Sequence, residues 1–176
     1  VDDPLVALVL EDALWSELPL AKIAETAARA TLAHLGHPAR GYEIVLLACD
    51  DARIAALNAD FRGKPTPTNV LSWPEWDLAP AHDGARPHPP PAPDTDDPEP
   101  LGNIALARGT CLREATEQQK TAAAHLTHLI VHAVLHLLGY DHIRDKDAAL
   151  MEETEIAILA QLGVADPYQP VVEVPD

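Results

Sequence analysis

The sequence predicts an α+β fold, a mixed α/β sandwich built from one four-stranded mixed sheet and about five helices. Four short apolar runs read as strands, helical spacing fills five other segments, and no internal repeat is visible. The length of 176 residues and the 47% hydrophobic content suit one compact domain, large enough to bury a core without disulfides or metal staples. A single domain over residues 1–176 is therefore expected.

The elements follow in order. Leu5 to Leu10, rich in Val and Leu, reads as the first strand, and Leu20 to Leu35 as a helix ending near Gly36. Glu43 to Ala48 is a second strand. Asp50 can cap a helix, and Ile54, Leu57 and Phe61 have helical spacing, so Asp51 to Phe61 is a short helix. Asn69 to Trp73 is a third strand, closed by Pro74. The segment Pro80 to Pro100, with Pro89, Pro90 and Pro91 in a row, excludes helix and central strand and is expected as an exposed loop, inserted over residues 75–100. Gly102 to Ala107 is the fourth strand. A short helix from about Leu112, a long apolar helix from Thr121 to Leu138 and a final helix from about Lys146 to Leu162 complete the fold, with an irregular tail over 164–176.

Composition narrows the function. No run of about 18 apolar residues is present, and the first thirty residues carry acids where a secretory signal would have a basic start, so a cytoplasmic protein with no membrane association is expected. Cys49 and Cys111 are too few for a disulfide framework and lack CxxC spacing; they are expected as buried free thiols. The net charge of -16 opposes general affinity for phosphate backbones. Residues 75–100 hold seven acids against Arg86 alone and supply -6 of that charge, so contact with nucleic acid has to be a local patch.

The chemistry is concentrated in His128-Leu-Ile-Val-His132-Ala-Val-Leu-His136-Leu-Leu-Gly139-Tyr-Asp-His142. Helix positions four apart share one face, with Cβ atoms roughly 5–6 Å apart, so His132 and His136 can reach a single ion. Gly139 then ends the helix and lets the chain return with His142 as third ligand. Three histidines leave a coordination position open, as in catalytic zinc sites; a structural site would need a fourth protein ligand. His128 and His136 are about 12 Å apart along a helix, too far to share an ion, so His128 is expected behind the ligands, with Asp141 as a second supporting residue that could orient an imidazole. The spacing is similar to the metzincin H-E-x-x-H-x-x-G-x-x-H. The glutamate base of those peptidases would be position 133, here Ala133, which argues against peptide hydrolysis.

The histidine block, together with Leu57-Asn58-Ala-Asp-Phe61-Arg62-Gly63-Lys64 and Pro67-Thr68-Asn69-Val70-Leu71-Ser72-Trp73-Pro74, resembles the YbeY endoribonucleases, also described as rRNA maturation factors. The resemblance runs from about Val6 to Leu162. It implies a metzincin-like zinc helix, one Zn2+ per chain, and a single-strand-preferring endoribonuclease acting in small-subunit rRNA 3′-end processing and ribosome quality control. It also implies rRNA and the ribosomal small subunit as partners, with a small-subunit ribosomal protein and an Era-type GTPase. Arg62 matches the family's essential arginine, and a guanidinium beside a metal can hold a phosphodiester and stabilise charge growing on its oxygens. Zinc-activated water and a ribose 2′-hydroxyl are equally compatible nucleophiles. Asn103 stands where the family usually has aspartate. A non-catalytic ribosome assembly factor carrying zinc is the alternative from a different functional class.

Overall fold

A computed structural model describes residues 3–169. Among these residues the chain forms four strands, five α-helices and one 3₁₀ turn: β1 (Val6–Leu10), the turn (Ala13–Glu17), α1 (Leu20–His34), β2 (Tyr42–Cys49), α2 (Asp51–Arg62), β3 (Val70–Pro74), β4 (Glu99–Ala107), α3 (Arg108–Glu117), α4 (Ala122–Leu137) and α5 (Asp145–Gln161). The sheet order is β1-β2-β4-β3. Strands β1, β2 and β4 are parallel and β3 runs antiparallel to β4, so the sheet is mixed, as expected.

Alternation along the strands divides the interior in two. Ile44, Leu46 and Ala48 of β2, with Ile104 and Leu106 of β4, face α1 and α4 and join the main core. Cys49, Leu71, Ala105 and Ala107 face the other way and meet Ile54 of α2 in a small second cluster. Helix α4 is buried on most sides, through Leu126, Leu129, Ile130, Val131, Ala133, Val134, Leu135 and Leu137, which explains its continuously apolar sequence. Thr121 caps it by accepting from the Ala124 amide at 3.1 Å.

Two boundaries differ from expectation, and one element is added. The fourth strand starts at Glu99, inside the proline-rich segment, with Pro100 opposite Glu43. Glu99 donates its amide toward β2, to the Gly41 carbonyl at 2.8 Å, so the nitrogen of Pro100 faces the other side, where β3 pairing has ended at Gly102 and a missing N–H costs nothing. Helix α3 starts at Arg108 rather than near Leu112, because its cap comes from elsewhere in the chain: Asp51 accepts from the Thr110 amide at 3.0 Å and from its hydroxyl at 2.9 Å. The 3₁₀ turn has no counterpart in the expected elements; it seats the fully buried Trp15, whose indole N–H donates to the Cys49 carbonyl at 2.8 Å.

The acidic loop between β3 and β4 is mostly exposed but tethered. Asp147, at the start of α5, accepts from the Gly84 amide at 2.8 Å and from Arg144 at 2.6 Å, while its own amide donates to Asp83 at 2.9 Å. Leu78 is buried, and the Tyr42 hydroxyl donates to the Pro91 carbonyl at 2.6 Å. Both cysteines are free and buried, as expected. Residues 164–169 of the expected irregular tail carry no helix or strand, and 170–176 lie outside the described residues. No helix among the described residues is long and apolar enough to cross a membrane.

Candidate metal centre

Helix α4 presents His132 and His136 one turn apart, with ring centroids 4.6 Å apart and Nε2 atoms 3.0 Å apart. After the helix the chain turns at Gly139, and His142 returns to place its ring 5.1 Å from that of His136 and 5.5 Å from that of His132. One nitrogen from each of the three lies within 4.8 Å of the others. The three predicted ligands are therefore brought together.

The outer nitrogens of the two helical histidines are both engaged by acceptors. His132 Nδ1 lies 2.5 Å from a carboxylate oxygen of Glu155, and His136 Nδ1 lies 2.9 Å from the Tyr140 carbonyl. With both Nδ1 atoms placed to donate, each ring in its neutral form presents a lone pair at Nε2. Two lone pairs facing each other at 3.0 Å repel unless a proton or a metal ion lies between them. Two nitrogens bound tetrahedrally at about 2.0–2.1 Å would stand roughly 3.3 Å apart, so the donor set fits a zinc-type ion. Burial, then the neighbouring His132 and His142, lower the His136 pKa to about 4, which keeps its imidazole neutral and ready to ligate.

Sequence reasoning does not single out Glu155. It is fully buried on α5, and its second oxygen lies 3.2 Å from His128 Nε2 and accepts from the Tyr168 hydroxyl at 2.5 Å. Burial acts to raise its pKa, but the hydrogen bonds from His128, His132 and Tyr168 outweigh that and hold the carboxyl down at about 2. A signal is present in the sequence all the same: Met151, Glu155, Ile158 and Leu159 occupy one buried helical stripe, so an acid sits at a core position of α5. His128 contacts this carboxylate and lies one helical turn before His132. Asp141 accepts from the His142 amide at 2.7 Å and approaches the His142 Nδ1 only to 3.8 Å, so it shapes the loop that carries His142 more than it orients an imidazole. His125 is buried against Glu114, away from the triad, at 2.9 Å.

His136 and His142 line a cleft of about 860 Å³ whose walls also include Arg62, Lys64, Trp76 and Asp141. Arg62 occupies the last turn of α2, which Gly63 terminates, and the buried Asn58 steadies the following turn by donating to the Thr66 carbonyl at 3.0 Å. Arg62 is exposed, and none of the ion pairs among the described residues involves it. Position 133, where a zinc peptidase has its glutamate, is a buried alanine.

Known proteins match this chain over nearly its whole length. The family model described as Endoribonuclease YbeY matches residues 11–163. A protein named Endoribonuclease YbeY from Cereibacter sphaeroides is 57% identical over 166 residues, covering 94% of this chain and 99% of the relative. One of the same name from Dinoroseobacter shibae is 54% identical over 173 residues, covering 96% and 94%. A Thermotoga maritima protein solved in solution shares the fold with a TM-score of 0.55 at 21% identity, covering 94% of this chain and 99% of that one. By sequence along nearly the full chain, this protein belongs to the Endoribonuclease YbeY family and is an enzyme of the nuclease class.

Proposed function

We propose that this chain is a zinc-dependent endoribonuclease that cleaves single-stranded segments of rRNA during small-subunit maturation and ribosome quality control. In this reading it works in the cytoplasm, on the ribosomal small subunit, alongside a small-subunit ribosomal protein and an Era-type GTPase. The observation that carries the reading is the convergence of His132, His136 and His142 beside a cleft that His136 and His142 line together with Arg62 and Lys64. When bound, zinc supplies Lewis-acid chemistry, polarising a phosphoryl oxygen and lowering the pKa of water toward about 7.

The protein's own residues do the rest. His132 and His136, with Nδ1–H fixed by Glu155 and the Tyr140 carbonyl, hold their Nε2 atoms toward each other without rearrangement. Arg62 has no carboxylate partner to surrender among the described residues, so its guanidinium can grip the phosphodiester and stabilise its oxygens as negative charge grows. Lys64 adds a second positive charge on the same wall. The overall charge of -16 repels extended phosphate backbones, so binding concentrates on this patch and favours a short unpaired segment over a duplex.

The test is cleavage of a single-stranded rRNA fragment by wild type and Arg62→Ala, with zinc content measured in both. Arg62→Ala is expected to keep its zinc and lose about 10²–10³-fold in rate, the usual cost of removing one oxyanion-stabilising donor. Casein is expected to stay intact, since no glutamate stands at position 133. Wild-type rates in Arg62→Ala would remove the arginine from the mechanism.

A further inference from the structure

We infer that Glu155 is the positioning residue of the metal centre and that Tyr168, from the segment after α5, is the latch that holds it. This rests on the proposed zinc site and adds to it two residues far from the histidine run in sequence.

Glu155 is 0% exposed, and a buried carboxylate is costly unless each oxygen is satisfied. One oxygen takes the Nδ1–H of His132 at 2.5 Å; the other takes the Nε2–H of His128 at 3.2 Å and the Tyr168 hydroxyl at 2.5 Å. No lysine or arginine pairs with it among the described residues; two imidazoles and a phenol hydroxyl take that place. Such an arrangement leaves the negative charge aimed through His132. An anionic acceptor on Nδ1 fixes the ring's orientation and tautomer and makes Nε2 more basic, so it binds a divalent cation more tightly.

The carboxylate's own orientation depends on Tyr168. Its ring stands edge-on to that of His128, with centroids 5.9 Å apart, and its hydroxyl donates to the same Glu155 oxygen that His128 approaches. The chain after α5 turns back through Asp166, which accepts from the Tyr168 amide at 2.8 Å and sets the tyrosine in place. The line Tyr168–Glu155–His132 thus makes the segment after α5 part of the metal centre, although that segment carries no ligand.

The experiment measures zinc affinity by competition with a chromogenic chelator, and the visible spectrum of the cobalt(II) form, for wild type, Glu155→Gln, Tyr168→Phe and His136→Ala. Glutamine matches the shape of Glu155 and still offers a carbonyl to His132, but carries no charge, so the metal-free fold is kept. Glu155→Gln is expected to lose 10–100-fold in zinc affinity and to shift the cobalt bands, while the metal-free variant stays folded at neutral pH with a Tm below wild type, since it lacks the carboxylate's stabilising hydrogen bonds. Tyr168→Phe is expected to lose several-fold, in the same direction. Wild-type affinity and spectrum in Glu155→Gln would overturn the inference, as would a loss of affinity matched by unfolding of the metal-free variant. Failure of wild type to take up zinc, or retention of tight binding in His136→Ala, would instead overturn the metal reading on which it rests.

Discussion

Replacing Gly139 by alanine should damage both the fold and the metal centre, and the two parts of the cost can be separated. Gly139 has φ of +97°, a conformation that costs an L-residue roughly 1–2 kcal/mol. A Cβ added there would lie 2.6 Å from the Leu78 carbonyl oxygen and 2.7 Å from its carbon. These are backbone atoms of the loop wall and cannot swing aside, so relief requires moving the loop, at a further cost of about 1–3 kcal/mol. Gly163 provides the control. Its φ is +74°, but nothing lies within 4 Å of the point an alanine Cβ would occupy, so Gly163→Ala meets the backbone penalty alone. Differential scanning calorimetry of the metal-free proteins should show Gly139→Ala about 3 kcal/mol less stable, a drop in Tm of roughly 6–12 °C for a chain of this size. Gly163→Ala should lose about 1 kcal/mol, or roughly 2–4 °C. Because Gly139 sets the return of His142, zinc affinity should fall in the first variant and hold in the second. Equal Tm shifts in the two variants would refute the steric argument.

The titrating groups set two further outcomes. The metal-free protein should lose stability in two acid windows. His136 is held at about 4 against an ordinary 6.5, so its contribution is complete above about pH 6.5 and disappears as pH falls toward 4. Glu155 is held at about 2 against 4.5, so its contribution is present above about pH 4.5 and disappears as pH falls toward 2. A Tm that stays flat between pH 7 and 4 would contradict the first window, and an unchanged lower window in Glu155→Gln the second. Burial pushes both thiols up to about 12, so Cys49 and Cys111 should react with an aromatic disulfide reagent only after unfolding. Prompt labelling of either in the native protein would contradict their placement.

The parts of the centre visible in the sequence are those encoded within one short stretch. His132 and His136 share a helix face by spacing alone, and Gly139 announces the turn that brings back His142. Arg62 is different: nothing in its neighbourhood distinguishes it from a surface arginine, and resemblance to a family carries that assignment. Strands and helices with clear alternation or caps are readable to within a few residues. What escapes depends on partners distant in the chain. The start of α3 is capped by Asp51, 59 residues from Thr110, so no local cap marks it. Pro100 is tolerated in β4 only because β3 stops short, a fact of sheet order. Glu155 lies 23 residues from His132, and its role becomes visible only when α5 packs beside α4.

Three histidines holding one zinc ion, on which RNA cleavage depends, are the centre of the proposed function. Elemental analysis of the native protein, paired with cleavage of a single-stranded rRNA fragment, tests this most directly. Wild type should carry about one zinc per chain and His136→Ala none, and cleavage should be lost on chelation and restored by zinc. Cleavage that persists in zinc-free His136→Ala would contradict the reading, and full zinc occupancy without cleavage would point to a zinc-bearing assembly factor.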